Sequence, residues 1–407
     1  MAQMLSFTGG HSSDLDPLVA LQQVSNPMRR LLTILTAVAL SVASLAIGLF
    51  TADLPFWQRA LQLPLEQDEI YLPVAVLADG VTGSSPPVAD GAPASAELEF
   101  AARRARDSGS RVLLVQRGEQ LLLSRYFGVD DEHTLLPAGV IARPVTAMAL
   151  GLALQDGQVS LDAPVSQYLD EWEGEPRGRI TVRQLLEDTS GLEDGGDIHR
   201  LLHRSPWQDL DALPGFATSK GVRMLLGNDF ANSALRFKLK HEPGGFYHLS
   251  PANPQLAAVI LERTTQQPFE RFVDQRLWRP IGAGRAELPM DRRAGMPVAH
   301  CCWRATAPDM ARVLALLASD GLHDGQRVLP EGWVQEMARA SRVNADSGLL
   351  VQRANAGGWF SLKGEADGSA YWVIPQLGLT IVNVVGSEGE TPPELAALLM
   401  RVYGQSK

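Results

Sequence analysis

Leu136 to Gly151, reading LPAGVIARPVTAMALG, restricts the fold more than any other stretch. It follows two strand-like segments and opens a helix whose apolar residues run almost all the way round, interrupted by Arg143 and Thr146. A surface helix keeps one polar face, whereas a helix apolar on every side is buried. This one must therefore lie at the centre of a domain. The material for such a domain is present, since 407 residues with 45% hydrophobic and 20% charged content suffice for one large domain and additional segments. A net charge of −10 argues against nucleic acid as a partner, because phosphate binding needs clustered Lys and Arg. There is no Gly-rich phosphate loop, no internal repeat and no zinc-ligand spacing, so neither cofactor nor metal is expected. His199, His203 and His241 lack acidic or cysteine neighbours at metal spacing.

Leu31 to Phe50 is an uncharged run long enough to match the hydrocarbon core of a bilayer at helical rise. Arg29 and Arg30 precede it, and Asp53, Phe56 and Trp57 follow. Positive-inside bias and interfacial aromatics then place the N-terminus in the cytoplasm and the bulk of the chain outside it. A cleaved secretory signal would need a short basic region and a shorter apolar run, so a retained anchor is expected. The expected organisation is a cytoplasmic leader over 1–30, a transmembrane helix over 31–50, a linker with N-terminal elements over 51–109, and a folded domain over 110–407. The expected location is a bacterial inner membrane with the domain in the periplasm. Small residues Ala37, Ser41, Ser44 and Gly48 recur along the anchor and would allow close approach of a partner helix, beside the plainer reading of ordinary small-residue content.

Glu69 to Leu77 reads as a strand, and Ala78 to Ser95, rich in Gly, Pro, Ser and Ala, as a tether. A helix is expected over 96–106, then a hairpin whose arms, 111–115 and 120–127, meet at Arg117-Gly118-Glu119. Near the C-terminus, 358–362, 370–374 and 379–385 alternate like hairpin strands, and 393–403 reads as a helix.

From about Ser110 onward several segments agree, in order, with one family. These are Asp156-Gly157 with Leu161-Asp162-Ala163-Pro164-Val165, Ile180-Thr181-Val182-Arg183-Gln184-Leu185-Leu186, and Thr189-Ser190-Gly191-Leu192. Glu242-Pro243-Gly244-Gly245, Ser250-Pro251-Ala252-Asn253 and Leu277-Trp278-Arg279-Pro280-Ile281-Gly282 continue the series. Together they resemble the serine β-lactamase and penicillin-binding-protein superfamily, in particular its class C β-lactamase-related hydrolases. The resemblance implies an α/β (α+β) fold, with an antiparallel sheet made from both chain ends, flanking helices and a mainly helical insertion.

Acyl transfer in that superfamily needs a hydroxyl nucleophile at a helix start, a neighbouring base and donors facing the oxyanion. The resemblance places the nucleophile at Val140, the lysine of Ser-x-x-Lys at Arg143, the tyrosine at Leu249 and the His-x-Gly histidine at Ala366. Valine accepts no acyl group, and a guanidinium does not give up its proton, so it cannot be a base. Arg143 would hold an anion bidentately or sit in a structural ion pair. Thr146, one turn into the helix, more often bonds a backbone carbonyl than attacks a substrate. Tyr247 stands near the vacant tyrosine position, Ser250, Asn253 and Gly368 are retained, and Lys363-Gly364 reads as a worn Lys-Thr-Gly or as an edge-strand lysine kept for solubility. Cys301-Cys302 is read chiefly as two buried thiols, with a vicinal disulfide as the alternative.

On this reading the chain is expected not to be an enzyme. It would be a membrane-anchored binding or scaffold subunit of an envelope complex, with a vestigial cleft of Arg143, Tyr247, Ser250, Asn253, Lys363 and Gly368. Expected partners are the lipid bilayer, another envelope membrane protein and a peptide or cell-wall fragment. The competing expectation is an active serine hydrolase with a non-standard nucleophile such as Ser250 or Thr146.

Overall fold

A computed structural model describes residues 26–62, 72–81, 83, 96–196, 213–354, 358–363, 368–386 and 389–404. The leader before residue 26, most of the 78–95 tether, His199, His203 and Ala366 lie outside them. The chain divides into two units, Met1–Trp57 and Gln58–Lys407.

Helix α1, Asn26–Ala52, contains the expected 31–50 run. Side chains are described on it from Leu31 to Ser44, and Leu31, Leu32, Ile34, Leu35, Val38, Leu40 and Val42 among them are exposed. Among the described residues no helix is long and apolar enough to cross a membrane. Ala37, Ser41 and Ser44 are exposed on the same helix, and the side-chain surroundings of Gly48 lie outside the described residues. Helix α2, Leu54–Gln62, follows.

The second unit is built on a six-stranded antiparallel sheet that joins both ends of the domain. Its strands are β2 (Ser110–Arg117), β3 (Gln120–Tyr126), β9 (Arg353–Ala354), β10 (Trp359–Lys363), β11 (Ala370–Ile374) and β12 (Leu379–Val385), in the order β3-β2-β12-β11-β10-β9. Side chains alternate across a strand, and here both faces are covered. Val112 and Leu114 of β2, with Val382 and Val384 of β12, join the main core; Leu113, Val115, Leu379 and Ile381 face α3 (Ala96–Asp107) and the C-terminal helix Leu395–Gly404. That is why β11 and β12 are buried along their whole length instead of alternating between buried and exposed. A smaller sheet, β1-β5-β6-β4, joins β1 (Val74–Leu77), β4 (Leu136–Pro137), β5 (Ala286–Pro289) and β6 (Arg304–Ala305). The short strands β7 (Leu322–His323) and β8 (Gln326–Arg327) pair separately.

The central helix, α4, spans Gly139–Gln155. It begins five residues before Pro144, so the proline lies inside the helix, where it has no N–H to give the Val140 carbonyl. Its interior from Ile141 to Ala153 is buried apart from the partly exposed Arg143. Gly151 is required by packing: an added Cβ would stand 2.3 Å from the Trp333 indole, which itself donates to the Ala147 carbonyl. The helical segments α5 (Val182–Leu186), α6 (Leu213–Thr218), α7 (Lys220–Leu226), α8 (Phe230–Leu235), α9 (Ala252–Thr265) and α10 (Phe269–Val273) form the expected insertion, and α9 packs along α4. Helices α11 (Ala307–Ala318), α12 (Trp333–Met337) and α13 (Leu395–Gly404) complete the layers.

Candidate functional site

The first turn of α4 forms one wall of the candidate site. Ala138 at its N-cap supplies no side-chain acceptor, so the helix start keeps backbone donor capacity. Val140 is partly exposed there and packs against the core. Arg143, one turn on, donates to Asp188 Oδ2. The side chain of Asp188 is 3% exposed and that of Arg143 22%, so the guanidinium is engaged in a structural ion pair. The same carboxylate accepts at Oδ1 from Asn253 Nδ2 at 2.9 Å, and Asn253 Oδ1 accepts from the Ser190 hydroxyl at 2.7 Å. A continuous polar chain therefore runs Arg143–Asp188–Asn253–Ser190, tying α4 and α9 to the 188–193 loop.

That loop is held in shape by its backbone. Asp188 has φ +56° and Gly191 φ +74°, and a Cβ at Gly191 would lie 2.2 Å from the His241 carbonyl oxygen. Only glycine allows the 241–248 segment to approach so closely. The segment carries Phe246, half exposed, between His241 and His248, with ring centroids 5.0 and 6.1 Å away.

The candidate residues separate in space. Arg143, Asn253 and Ser250 converge on the 188–193 loop, with the Ser250 hydroxyl donating to the Glu193 carbonyl at 2.8 Å. Tyr247 and Leu249 are partly exposed on the adjacent segment. Lys363 is exposed at the end of β10 and pairs in register with Ala370. Gly368 has φ +66° and its carbonyl accepts from the Thr391 hydroxyl at 2.8 Å, so it shapes a turn. Thr146 donates to Ala142 and Ala299 carbonyls at 2.8 and 3.1 Å and is buried, which occupies its hydroxyl.

Two participants were not singled out from the sequence. Asp188 immediately precedes Thr189-Ser190-Gly191-Leu192, and a buried arginine in search of a carboxylate was the signal for it. His300 is the second: the residue is only part-buried, yet both ring nitrogens are inaccessible and without a hydrogen-bond partner. Burial first, and the Arg143 charge second, push its pKa down to about 3, so the imidazole is neutral. Cys301 and Cys302 form a disulfide, the alternative weighed for this pair, in place of the two buried thiols chiefly expected. Cys302 is exposed in the left-handed region (φ +70°) and Cys301 part-buried, so the two side chains share one turn at the surface and do not point into opposite parts of a core. Away from the cleft, His323 faces Glu119 with Nδ1 at 3.1 Å and Asp324 with Nε2 at 3.9 Å. Opposite nitrogens serve the two acids, so the group ties the β2–β3 turn to the β7–β8 hairpin.

The Beta-lactamase family model matches residues 97–404. A 6-aminohexanoate-dimer hydrolase of Paenarthrobacter ureafaciens is 26% identical over 240 residues, covering 58% of this chain and 58% of the relative. Esterase EstB of Burkholderia gladioli is 30% identical over 206 residues, covering 46% and 48% respectively. The chain thus spans about half the length of these curated relatives. Among solved structures, a D-stereospecific amidohydrolase from Streptomyces sp. superposes with a TM-score of 0.54 at 18% identity, covering 77% of this chain and 100% of the other, a likeness of fold. These findings correct the expectation that the chain is not an enzyme, since the named relatives are hydrolases. Substitution at Val140, Arg143 and Leu249 removes one assignment of nucleophile, base and helper. It leaves the other elements gathered around the start of α4 in place.

Proposed function

This chain belongs to the Beta-lactamase family, and from that membership we propose that it hydrolyses an ester or amide bond in a small acyl compound or short peptide, of which a cell-wall fragment is one source. The observation that carries the reading is the family itself, with relatives named for hydrolysis of an amide dimer and of esters. The polar chain Arg143–Asp188–Asn253–Ser190 supports it by fixing the 188–193 loop against α4, whose start is uncapped. Backbone donors there are suited to a developing oxyanion, and such preorganised donors contribute a large share of acyl-transfer catalysis. Arg143 positions the 188–193 loop against α4 and, held in its ion pair, takes no part as a base.

The test is turnover of p-nitrophenyl esters and aminoacyl p-nitroanilides by the full chain in mild detergent. Hydrolysis above the buffer blank is expected for at least one short acyl group. A folded chain inert across both panels, under oxidising and reducing conditions, overturns the proposal.

We further propose that α1 anchors the protein in a membrane with the hydrolase domain on the extracytoplasmic side. The contiguous apolar run 31–50, the preceding Arg29-Arg30 and the exposed leucines of α1 support this. The expected result is that the chain resists carbonate extraction, whereas deletion of residues 26–52 releases it; a full chain recovered in the soluble fraction overturns the anchor.

A further inference from the structure

The geometry points to the Cys301–Cys302 disulfide as a masked nucleophile: reduced by a dithiol, it exposes the Cys302 thiolate at the start of α4 for acyl transfer. This rests on the hydrolase reading and supplies the attacking atom that Val140 cannot.

The placement follows from Gly139. A Cβ on this first residue of α4 would stand 2.8 Å from Cys302 N and 3.6 Å from Cys301 Cα. The dicysteine turn therefore covers the Gly139 face of the helix. Residues four apart share a face, and helical side chains tilt toward the N-terminus, so Arg143 leans back toward the same turn. Its charge also acts on His300, which precedes Cys301 in the chain. A helix N-terminus and a nearby arginine are two of the surroundings that stabilise a thiolate. The helix start has no side-chain cap competing for its donors. The nearby carboxylate of Asp188 is held in its pair with Arg143. His300 adds two buried, unpartnered ring nitrogens beside the cysteines. Hydroxyl competitors are occupied: Thr146 on two carbonyls, Ser190 on Asn253, Ser250 on the Glu193 carbonyl. Cys302 is exposed while Cys301 packs against the core, which makes Cys302 the attacking sulfur and Cys301 its resolving partner.

The steps balance. A dithiol donates two electrons and two protons, the S–S bond breaks, and the dithiol becomes a cyclic disulfide. The Cys302 thiol loses its proton to water. Its thiolate attacks the carbonyl carbon, forming a C–S bond as the ester C–O bond breaks; the alkoxide takes a proton from water and leaves. Water then cleaves the thioester, releasing the carboxylic acid and restoring the thiol.

The test combines thiol chemistry with turnover in the full chain. After dithiothreitol, iodoacetamide labelling mapped to Cys302 should show a pH midpoint at least one unit below the free-thiol value of about 8.5. Ester turnover should rise at least tenfold on reduction, be lost in Cys302→Ser, and become independent of reductant in Cys301→Ala. Both variants lack the disulfide, so misfolding through its loss would silence both and is distinguished by circular dichroism. A labelling midpoint at or above 8.5 overturns the inference. Reductant-indifferent turnover that survives in Cys302→Ser also overturns it while leaving the hydrolase reading intact. A low midpoint without turnover in either redox state overturns both.

Discussion

Removing the positive end of the Arg143–Asp188 pair tests whether the polar chain Arg143–Asp188–Asn253–Ser190 is structural. Asp188 is 3% exposed and sits among buried groups, and its described partners are the Arg143 guanidinium and the Asn253 amide. Arg143→Met keeps the aliphatic stem and leaves the carboxylate charged, buried and held by one amide. Stranding one member of a buried pair typically costs about 3–5 kcal/mol. Arg143 is 22% exposed, so water reaches part of the site and the lower end of that range, about 3 kcal/mol, is expected. Asp188→Asn removes the other charge. It leaves an arginine that can turn to solvent and keeps an acceptor for Asn253, so about 1–2 kcal/mol is expected. In the double variant neither charge remains, and its cost should fall below the sum of the single costs by at least about 1.5 kcal/mol. Urea titration followed through the emission of the buried Trp172, Trp278 and Trp303 measures all three. A loss under about 1 kcal/mol for Arg143→Met, or strict additivity in the double variant, would refute the account of a coupled buried pair.

Three further perturbations follow from burial. His300 has its pKa lowered from 6.5 to about 3, so the unfolded chain binds the proton first: its contribution is complete above pH 6.5 and lost as pH falls through 6.5 toward 3. That amounts to about 2 kcal/mol between pH 7 and 5, and parallel urea titrations should show His300→Leu losing less stability than the parent by this amount. Glu262 behaves oppositely, since burial raises its pKa from 4.5 to about 7 while its carboxyl accepts from Phe269 N. Its contribution is complete below pH 4.5 and is lost as pH rises through 7. Glu262→Gln keeps the acceptor and should be more stable than the parent by about 1–2 kcal/mol at pH 8, after allowance for partial exposure, with no such gain at pH 4.5. Gly151→Ala drives a methyl into the Trp333 indole; overpacking of about 1–3 kcal/mol outweighs the helix propensity gained by alanine, so thermal unfolding should occur at lower temperature.

What could be read along the chain was whatever local chemistry imposes. The α4 helix is apolar on all sides because every side meets protein, and that pattern survives in one dimension. The hairpin β2–β3 carries its turn at Arg117-Gly118-Glu119, and β10, β11 and β12 fall within about a residue of their expected bounds. Whether those strands face water was not legible, because the second face is covered by α3 and α13, which come from opposite ends of the domain. Arg143 could be identified as partly buried and in need of a partner, yet Asp188 is forty-five residues away and is brought to it by the α5 turn and the Gly191 loop. The error about enzymatic character has the same origin. Reading Val140, Arg143, Leu249 and Ala366 as one missing apparatus assumes that each role stays at its position in the chain. A cleft is assembled from several elements, and a group from a distant loop can occupy the space in front of a helix start. The contact between Gly139 and the Cys302 backbone is of that kind. It joins residues far apart in sequence, brings the Cys301-Cys302 backbone against the first residue of α4, and leaves no periodicity behind.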